Sequence, residues 1–150
     1  MAESHPKALI SWSGSTLDPA YPRLSELSKP GGAAAIPASS LPAFGGDAAR
    51  WNSEDLLAGA LSQCHMLTFL ALASKVRLDV LGYEGEAEAV MATEDKVSRV
   101  VRVALRPTIR VAPGTDAAKV EEMFRKAHKY CVVANSFTGE VVMEPRVVEA

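Results

Sequence analysis

The sequence predicts an α+β fold built on antiparallel strands, and three segments support that prediction. A long apolar segment with helical spacing begins after Asn52, residues 79–93 alternate with a two-residue period, and a third segment after Gly114 again has helical spacing. In chain order they give short strands, a helix, a hairpin, a second helix and a last strand. The 150 residues suffice for one domain over 1–150, in which we expect residues 1–7 to form a flexible tail.

The composition excludes several functional classes. With 48% hydrophobic and 23% charged residues, the chain is too apolar to be intrinsically disordered. Its 16 basic and 18 acidic residues leave a net charge of -2, which gives no general attraction for nucleic acid. The N-terminus is polar and contains Pro6, so it does not resemble a signal peptide. We therefore expect a cytoplasmic protein, in which two cysteines are not a permanent disulfide scaffold.

Turn-forming residues dominate the chain up to residue 47. Residues 8–13 have the pattern of a short strand, and prolines and glycines then recur as far as Gly46. Leu24, Leu27, Ile36 and Leu41 still offer apolar side chains to pack. We expect short strands and loops here, with no long helix.

The most apolar helix is predicted from Asn52 to about Leu78. Asn52 is a good N-cap, and Glu54 and Asp55 place negative charge in the first turn, where the helix dipole favours it. Polar residues interrupt the run 56–73, which is typical of a core helix and not of a membrane span, so we expect no membrane association. The helix is apolar nearly all round, which predicts cover on more than one side.

A hairpin and a second helix follow. Residues 79–93 and 97–111 are predicted as paired strands around a turn at 94–96, with Arg99, Arg102, Arg106 and Arg110 facing glutamates of the first strand. Thr115 or Asp116 caps a helix whose apolar face is Val120, Phe124, Ala127 and Cys131. A last strand is expected over 140–148.

Both cysteines are predicted to point inward from helices. A buried cysteine is most often a small apolar side chain, and burial raises the pKa of a thiol, so a reactive Cys64 requires a cation from elsewhere in the protein. With Cys131 it forms either a chance pair, a redox pair or half of a metal site. His65 and His128 make a Cys2His2 zinc site conceivable, but adjacent residues 64 and 65 diverge by about 100° on a helix, which disfavours it.

Two sequence motifs contain the cysteines. Asn52-Ser53-Glu54-Asp55-Leu56-Leu57, followed by Cys64 and preceded by Phe44-Gly45-Gly46-Asp47, is similar to the Asn-Pro-Glu-Glu-Leu-Leu…Cys helix of the OsmC/Ohr family of thiol-dependent hydroperoxide reductases. Ala127-His128-Lys129-Tyr130-Cys131, followed by Asn135, is similar to the second cysteine segment, Ala-His-x-x-Cys-x-x-x-Asn. The resemblance implies the OsmC-like fold, with antiparallel sheets around a central buried helix that bears the cysteine, and an intertwined homodimer.

The resemblance also implies roles for individual residues. Cys64 matches the peroxide-attacking cysteine, Cys131 the resolving cysteine, and Glu54 the glutamate that orients an arginine. In one branch of the family that arginine lies in a Tyr-x-Arg-x-His segment. Tyr21-Pro22-Arg23-Leu24-Ser25 keeps the tyrosine and arginine but has serine for histidine, so Arg23 is the candidate and Arg50 its substitute.

The implied function is reduction of organic hydroperoxides by Cys64 and Cys131. No bound cofactor or metal is expected; the partners are a hydroperoxide, an external dithiol reductant such as a lipoyl group, and a second copy of the chain. Ten residues separate Glu54 from Cys64, about 15 Å along one helix, so a shared site requires Glu54 from the partner subunit. We expect Leu61, Met66, Leu67 and Phe69 to line the site. The alternative is a non-catalytic protein that binds a small ligand or metal on the same fold.

Overall fold

The computed structural model describes residues 2–150 and divides into two compact units, the first ending at Leu56 and the second spanning Leu57–Ala150. Residues 2–7 have no helix or strand and are exposed. The boundary falls inside the long helix, so the helix begins in one unit and continues through the other. The prediction of a single domain over 1–150 stays a prediction.

The first unit contains a three-stranded antiparallel sheet. Strands β1 (Leu9–Ser11), β2 (Leu24–Ser28) and β3 (Ile36–Ser39) pair in that order. These strands confirm the prediction of short strands and loops, including the strand expected within 8–13. A 3-10 turn at Pro42–Phe44 ends at Gly45, whose φ of +79° favours glycine. A side chain at Gly46 would collide with the Ser40 carbonyl oxygen, so this turn leading to the long helix requires glycine.

Helix α1 spans Ser53–Lys75 and begins at the predicted cap. The side-chain oxygen of Asn52 accepts a hydrogen bond from the Asp55 N–H (2.7 Å), and the Asp55 carboxylate accepts one from the Asn52 N–H (3.2 Å). The helix ends earlier than the predicted Leu78. Arg77 adopts a φ of +60°, and the Leu78 N–H donates to the Ala73 carbonyl at 3.0 Å, which closes the last turn.

The second unit contains the long hairpin that the alternating pattern predicts. Strands β4 (Val80–Glu94) and β5 (Val97–Val111) pair antiparallel, and Asp95 and Lys96 make the turn with φ of +49° and +64°. Of the arginines expected to face the glutamates, Arg106 does so, with Glu86 at 3.3 Å and Glu88 at 3.4 Å. Arg99 instead contacts Glu94, at the end of β4, at 3.7 Å. Within residues 2–150, Arg102 and Arg110 form no ion pair.

The end of the chain corrects two predictions. The expected strand over 140–148 is two strands, β6 (Glu140–Met143) and β7 (Arg146–Glu149), separated at Pro145, which has no N–H for a sheet hydrogen bond. Both pair parallel to β5, so this sheet is mixed and not purely antiparallel. The reason is the helical connection after β5, which allows the chain to return in the same direction.

Helix α2 (Ala117–Tyr130) is capped by Asp116, whose carboxylate accepts from the Lys119 N–H. Its buried face contains Val120, Phe124 and Ala127, as predicted. Cys131, however, lies just beyond the helix: with φ −75° and ψ 113° it separates α2 from a five-residue helix α3 (Val132–Ser136). The sequence analysis did not predict this break.

The core of the second unit is formed by β5, α2 and one stripe of α1. The stripe consists of Ala58, Leu61, His65, Phe69 and Ala73, at helical spacings of three and four. The opposite side of α1, which we call the uncovered face, exposes Ala60, Gln63, Leu67 and Ala71. The single chain therefore covers α1 mainly on one side, and the expected cover on its other sides stays a prediction.

By length and composition alone, α1 is also long and apolar enough to cross a membrane. Only 28% of its most apolar window is buried within the chain. The buried stripe packs on the core of the second unit, as in a helix that belongs to a folded domain.

Candidate functional site

The two cysteines meet where α1 faces the junction of α2 and α3. Cys64 lies midway along α1 and is half-buried, whereas Cys131 is fully buried between the two later helices. Both are free thiols, and each contributes to the pKa shift of the other, so the two side chains are neighbours. The structure thus brings together the two cysteines that the sequence analysis selected.

The surroundings of Cys64 favour its thiolate. Burial raises the pKa of this thiol, but the backbone N–H of Val133, the Cys131 thiol, the Val132 N–H and the Thr68 hydroxyl oppose burial, and the pKa lies below its ordinary value. Val132 and Val133 form the first turn of α3, so their amides have no partner within that helix. The cation that the sequence analysis required is therefore not the sole source of thiolate stabilisation.

The pKa of Cys131 is shifted in the opposite direction. Burial and the neighbouring Cys64 raise the pKa of this thiol above its ordinary value, although its Sγ accepts a hydrogen bond from the Ala134 N–H at 3.4 Å. The pKa of Cys131 and the pKa of Cys64 are thus shifted in opposite directions. A lowered pKa favours the thiolate, which is the reactive form of a cysteine.

Arg23 and Glu54 do not pair within the single chain. The Arg23 guanidinium stacks on the Tyr21 ring at 3.9 Å from its centre and donates to the Tyr21 carbonyl at 2.7 Å. Both Arg23 and Glu54 are half-buried, and neither forms an ion pair among residues 2–150. Arg50, the substitute candidate, lies 4.0 Å from Asp47.

Ser25, the residue that departs from the family pattern, borders a polar cleft in the first unit. This cleft of about 310 Å³ is also lined by Trp12, Glu26 and Arg50. It lies wholly among residues of the β1–β2 pair and the segment before α1.

Two histidines lie in the protein interior next to the cysteine-bearing segments. His65 is fully buried against the edge of Phe124, and burial together with nearby His128 lowers the pKa of His65 to about 4. Both ring nitrogens of His65 and the Nδ1 of His128 are without hydrogen-bond partners. Within the part of the chain that the structure describes, no three histidine, cysteine or acidic side chains are arranged to hold a metal ion, so the geometry does not support the Cys2His2 zinc site.

The four apolar residues expected to line the site do not share one side of α1. Leu61 and Phe69 are fully buried in the core stripe of α1, so they do not line an accessible site. Met66 is half-buried and Leu67 is exposed, on the other sides of the helix. Met66 and Leu67 lie on other sides than Leu61 and Phe69 because successive residues of a helix are turned by about 100°.

Comparisons with known proteins agree with this fold. The family model described as OsmC-like protein matches residues 45–146. An OsmC-like protein of unknown function from Vibrio cholerae is 30% identical, with a TM-score of 0.87 over 95% of this chain and 99% of that one. The chain therefore belongs to the OsmC-like family, which includes organic hydroperoxide resistance proteins.

More distant solved structures share the fold. An organic hydroperoxide resistance protein from Elizabethkingia anophelis has a TM-score of 0.74 at 16% identity, with 99% of both chains covered. One from Legionella pneumophila has a TM-score of 0.73 at 20% identity, with 98% of both chains covered. No curated protein matches the sequence.

Proposed function

We propose that this protein is a thiol-dependent peroxidase that reduces organic hydroperoxides to alcohols. The observation that carries the proposal is the placement of the half-buried Cys64 thiol near the fully buried Cys131 thiol, and the lowered pKa of Cys64 agrees with it. A peroxide-reducing thiol must be a thiolate, and its sulfenic acid product needs a second thiol within reach. Membership of a family that includes hydroperoxide resistance proteins supports this assignment.

In the first step, the Cys64 thiolate attacks the terminal oxygen of the hydroperoxide. A sulfur–oxygen bond forms, the oxygen–oxygen bond breaks, and the departing alkoxide takes a proton to become the alcohol. Cys64 is oxidised to sulfenic acid and the peroxide is reduced. A guanidinium, assigned to Arg23, would stabilise the charge on the leaving oxygen.

In the second step, Cys131 resolves the sulfenic acid. Its sulfur attacks the Cys64 sulfur, the Cys64–Cys131 disulfide forms, and the hydroxyl group leaves with the Cys131 proton as water. An external dithiol, such as a lipoyl group, then reduces the disulfide by two exchanges and is itself oxidised to a disulfide. The cycle requires no bound cofactor or metal, and we assign it to the cytoplasm, where thiols are kept reduced.

The complete site is proposed to form in a homodimer. Arg23 and Glu54 form no ion pair within residues 2–150 of one chain, and the uncovered face of α1 leaves apolar surface available to a second copy. In the dimer, Glu54 of the partner subunit would hold Arg23 by a two-point ion pair, as the family resemblance implies.

Intact-mass analysis after one equivalent of an organic hydroperoxide tests the proposal. Wild-type protein should lose two hydrogens as the disulfide forms, with release of one equivalent of alcohol. Cys131→Ser should instead gain one oxygen atom at Cys64, and a second only with excess hydroperoxide, because no thiol resolves the sulfenic acid. An unchanged wild-type mass and no alcohol would contradict the proposal and favour the non-catalytic binding protein.

A further inference from the structure

Thr68 lies one helical turn after Cys64, on the same side of α1. Its hydroxyl donates a hydrogen bond to the Cys64 carbonyl oxygen at 2.8 Å, and its side chain is half-buried. Side chains four residues apart are neighbours on a helix, and each leans toward the N-terminal end. The Thr68 hydroxyl therefore lies beside the Cys64 side chain as well as its carbonyl group.

The carbonyl oxygen of Cys64 does not need this hydrogen bond. It already lies inside a continuous helix, where the N–H of residue 68 is its regular backbone partner. A hydroxyl has one proton and rotates freely about its C–O bond, so it can serve either acceptor. A thiolate is a stronger acceptor than a carbonyl oxygen that is already bonded, because its charge is full and otherwise incompletely paired.

We propose that Thr68 is a positioning residue for Cys64: its hydroxyl proton turns from the Cys64 carbonyl oxygen to Sγ when the thiolate forms. Thr68 then fixes the sulfur in one orientation toward the incoming peroxide and toward Cys131. The direction of the Cys64 pKa, which the Thr68 hydroxyl helps to lower, agrees with this arrangement. The inference on peroxide attack rests on the proposed function, whereas the inference on the thiolate does not.

The test measures the pKa of Cys64 directly, in the full-length reduced protein. The alkylation rate of Cys64 by iodoacetamide is followed across pH by peptide mass spectrometry, which separates it from Cys131. Thr68→Val, which keeps the side-chain shape and loses the hydroxyl, should raise the pKa of Cys64 by about one pH unit. Thr68→Ser keeps the hydroxyl and should stay close to the wild type.

Thr115→Val is the matched control. The Thr115 hydroxyl donates to the Ala112 carbonyl at 2.7 Å, a hydrogen bond between a threonine and a backbone carbonyl that involves neither cysteine nor α3. Its loss should leave the pKa of Cys64 unchanged. If Thr68→Val loosens the helix, Thr68→Ala provides a second variant without the hydroxyl and with a higher helix propensity.

The outcomes separate this inference from the proposed function. An unshifted pKa of Cys64 in Thr68→Val and Thr68→Ala, or an equal shift in Thr68→Ser, overturns the role of Thr68 even if the wild type reduces hydroperoxide. A raised pKa of Cys64 in Thr68→Val and Thr68→Ala, but not in Thr68→Ser, supports the role of Thr68 even if no alcohol is released. If the protein reduces hydroperoxide, Thr68→Val should do so about tenfold more slowly than the wild type at pH 7. The difference should disappear at a pH above the Cys64 pKa of both proteins.

Discussion

The ring of His65 packs edge-on against Phe124, with 4.5 Å between the ring centres, and neither of its nitrogens has a hydrogen-bond partner. This contact joins the middle of α1 to the buried face of α2. A charged imidazole would be costly here, because the site offers an aromatic edge and a second histidine, His128.

The first prediction concerns pH and stability. The pKa of His65 is about 4 in the folded chain, below the value of about 6.5 in the unfolded chain. Stability from this group is therefore complete above pH 6.5 and is lost as pH falls toward 4, because only the unfolded chain binds the proton. We expect a loss of about 2 kcal/mol between pH 7.5 and pH 4.5 in urea unfolding.

The variant His65→Phe isolates this contribution. It keeps an aromatic ring beside Phe124 and should reduce the fall in unfolding free energy over that pH range. His5→Phe, at an exposed position, should retain the wild-type pH dependence. Equal slopes for His65→Phe and the wild type would show that His65 does not carry the effect.

The second prediction concerns the end of α1. Arg77 holds a left-handed φ of +60°, which costs a residue with a Cβ about 1 kcal/mol. Arg77→Gly should raise the free energy of unfolding by about 0.5 kcal/mol, after the greater freedom of glycine in the unfolded chain is subtracted. Lys126→Gly, at an exposed position inside α2, should lower it by about 1 kcal/mol. A loss of stability in both variants would contradict this account of the helix end.

The third prediction concerns the uncovered face of α1. Leu67 is 53% exposed in the single chain, and a second copy packed on this face would bury it. Leu67→Arg should convert the proposed dimer to a monomer, because an unpaired charge at a packed interface is strongly unfavourable. Sedimentation equilibrium measures the change. Val97→Arg, at an exposed position beside the hairpin turn, should remain dimeric. A dimeric Leu67→Arg protein would place the interface elsewhere.

The fourth prediction concerns Arg23. Arg23→Ala should lose hydroperoxide reduction by at least about tenfold while the fold survives, because a guanidinium stabilises both the thiolate and the leaving oxygen. Stopped-flow kinetics and circular dichroism measure the two properties. A wild-type rate in Arg23→Ala would refute the assignment, and Arg50→Ala would then be the next variant to measure.

The fifth prediction concerns the source of Glu54. Glu54→Ala and Cys64→Ser chains, each inactive alone, should regain partial activity after co-refolding, since a mixed dimer contains one site with both residues intact. Mass spectrometry of the intact dimer verifies mixing. Proven mixed dimers without activity would assign Glu54 and Cys64 to separate roles.

The sequence by itself predicted the elements whose signals are local. The Asn52 cap with Asp55, the two-residue alternation of β4, and the apolar face of α2 all follow from short-range hydrogen bonding and side-chain periodicity. The two cysteine motifs likewise indicated the family, which the match over residues 45–146 confirms. These features depend on residues within a few turns or a few strand positions of one another.

Tertiary structure decided the features that depend on distant parts of the chain. The parallel pairing of β6 and β7 with β5 depends on the direction in which the chain leaves the helices after β5. The residues of the two strands do not by themselves indicate this direction. The break at Cys131 has no glycine or proline to mark it, yet it directs the Val132 and Val133 amides at Cys64. The sequence by itself placed both cysteines in motifs of the family. The fold lowered the pKa of Cys64 and raised that of Cys131, because a pKa depends on the surroundings that packing supplies.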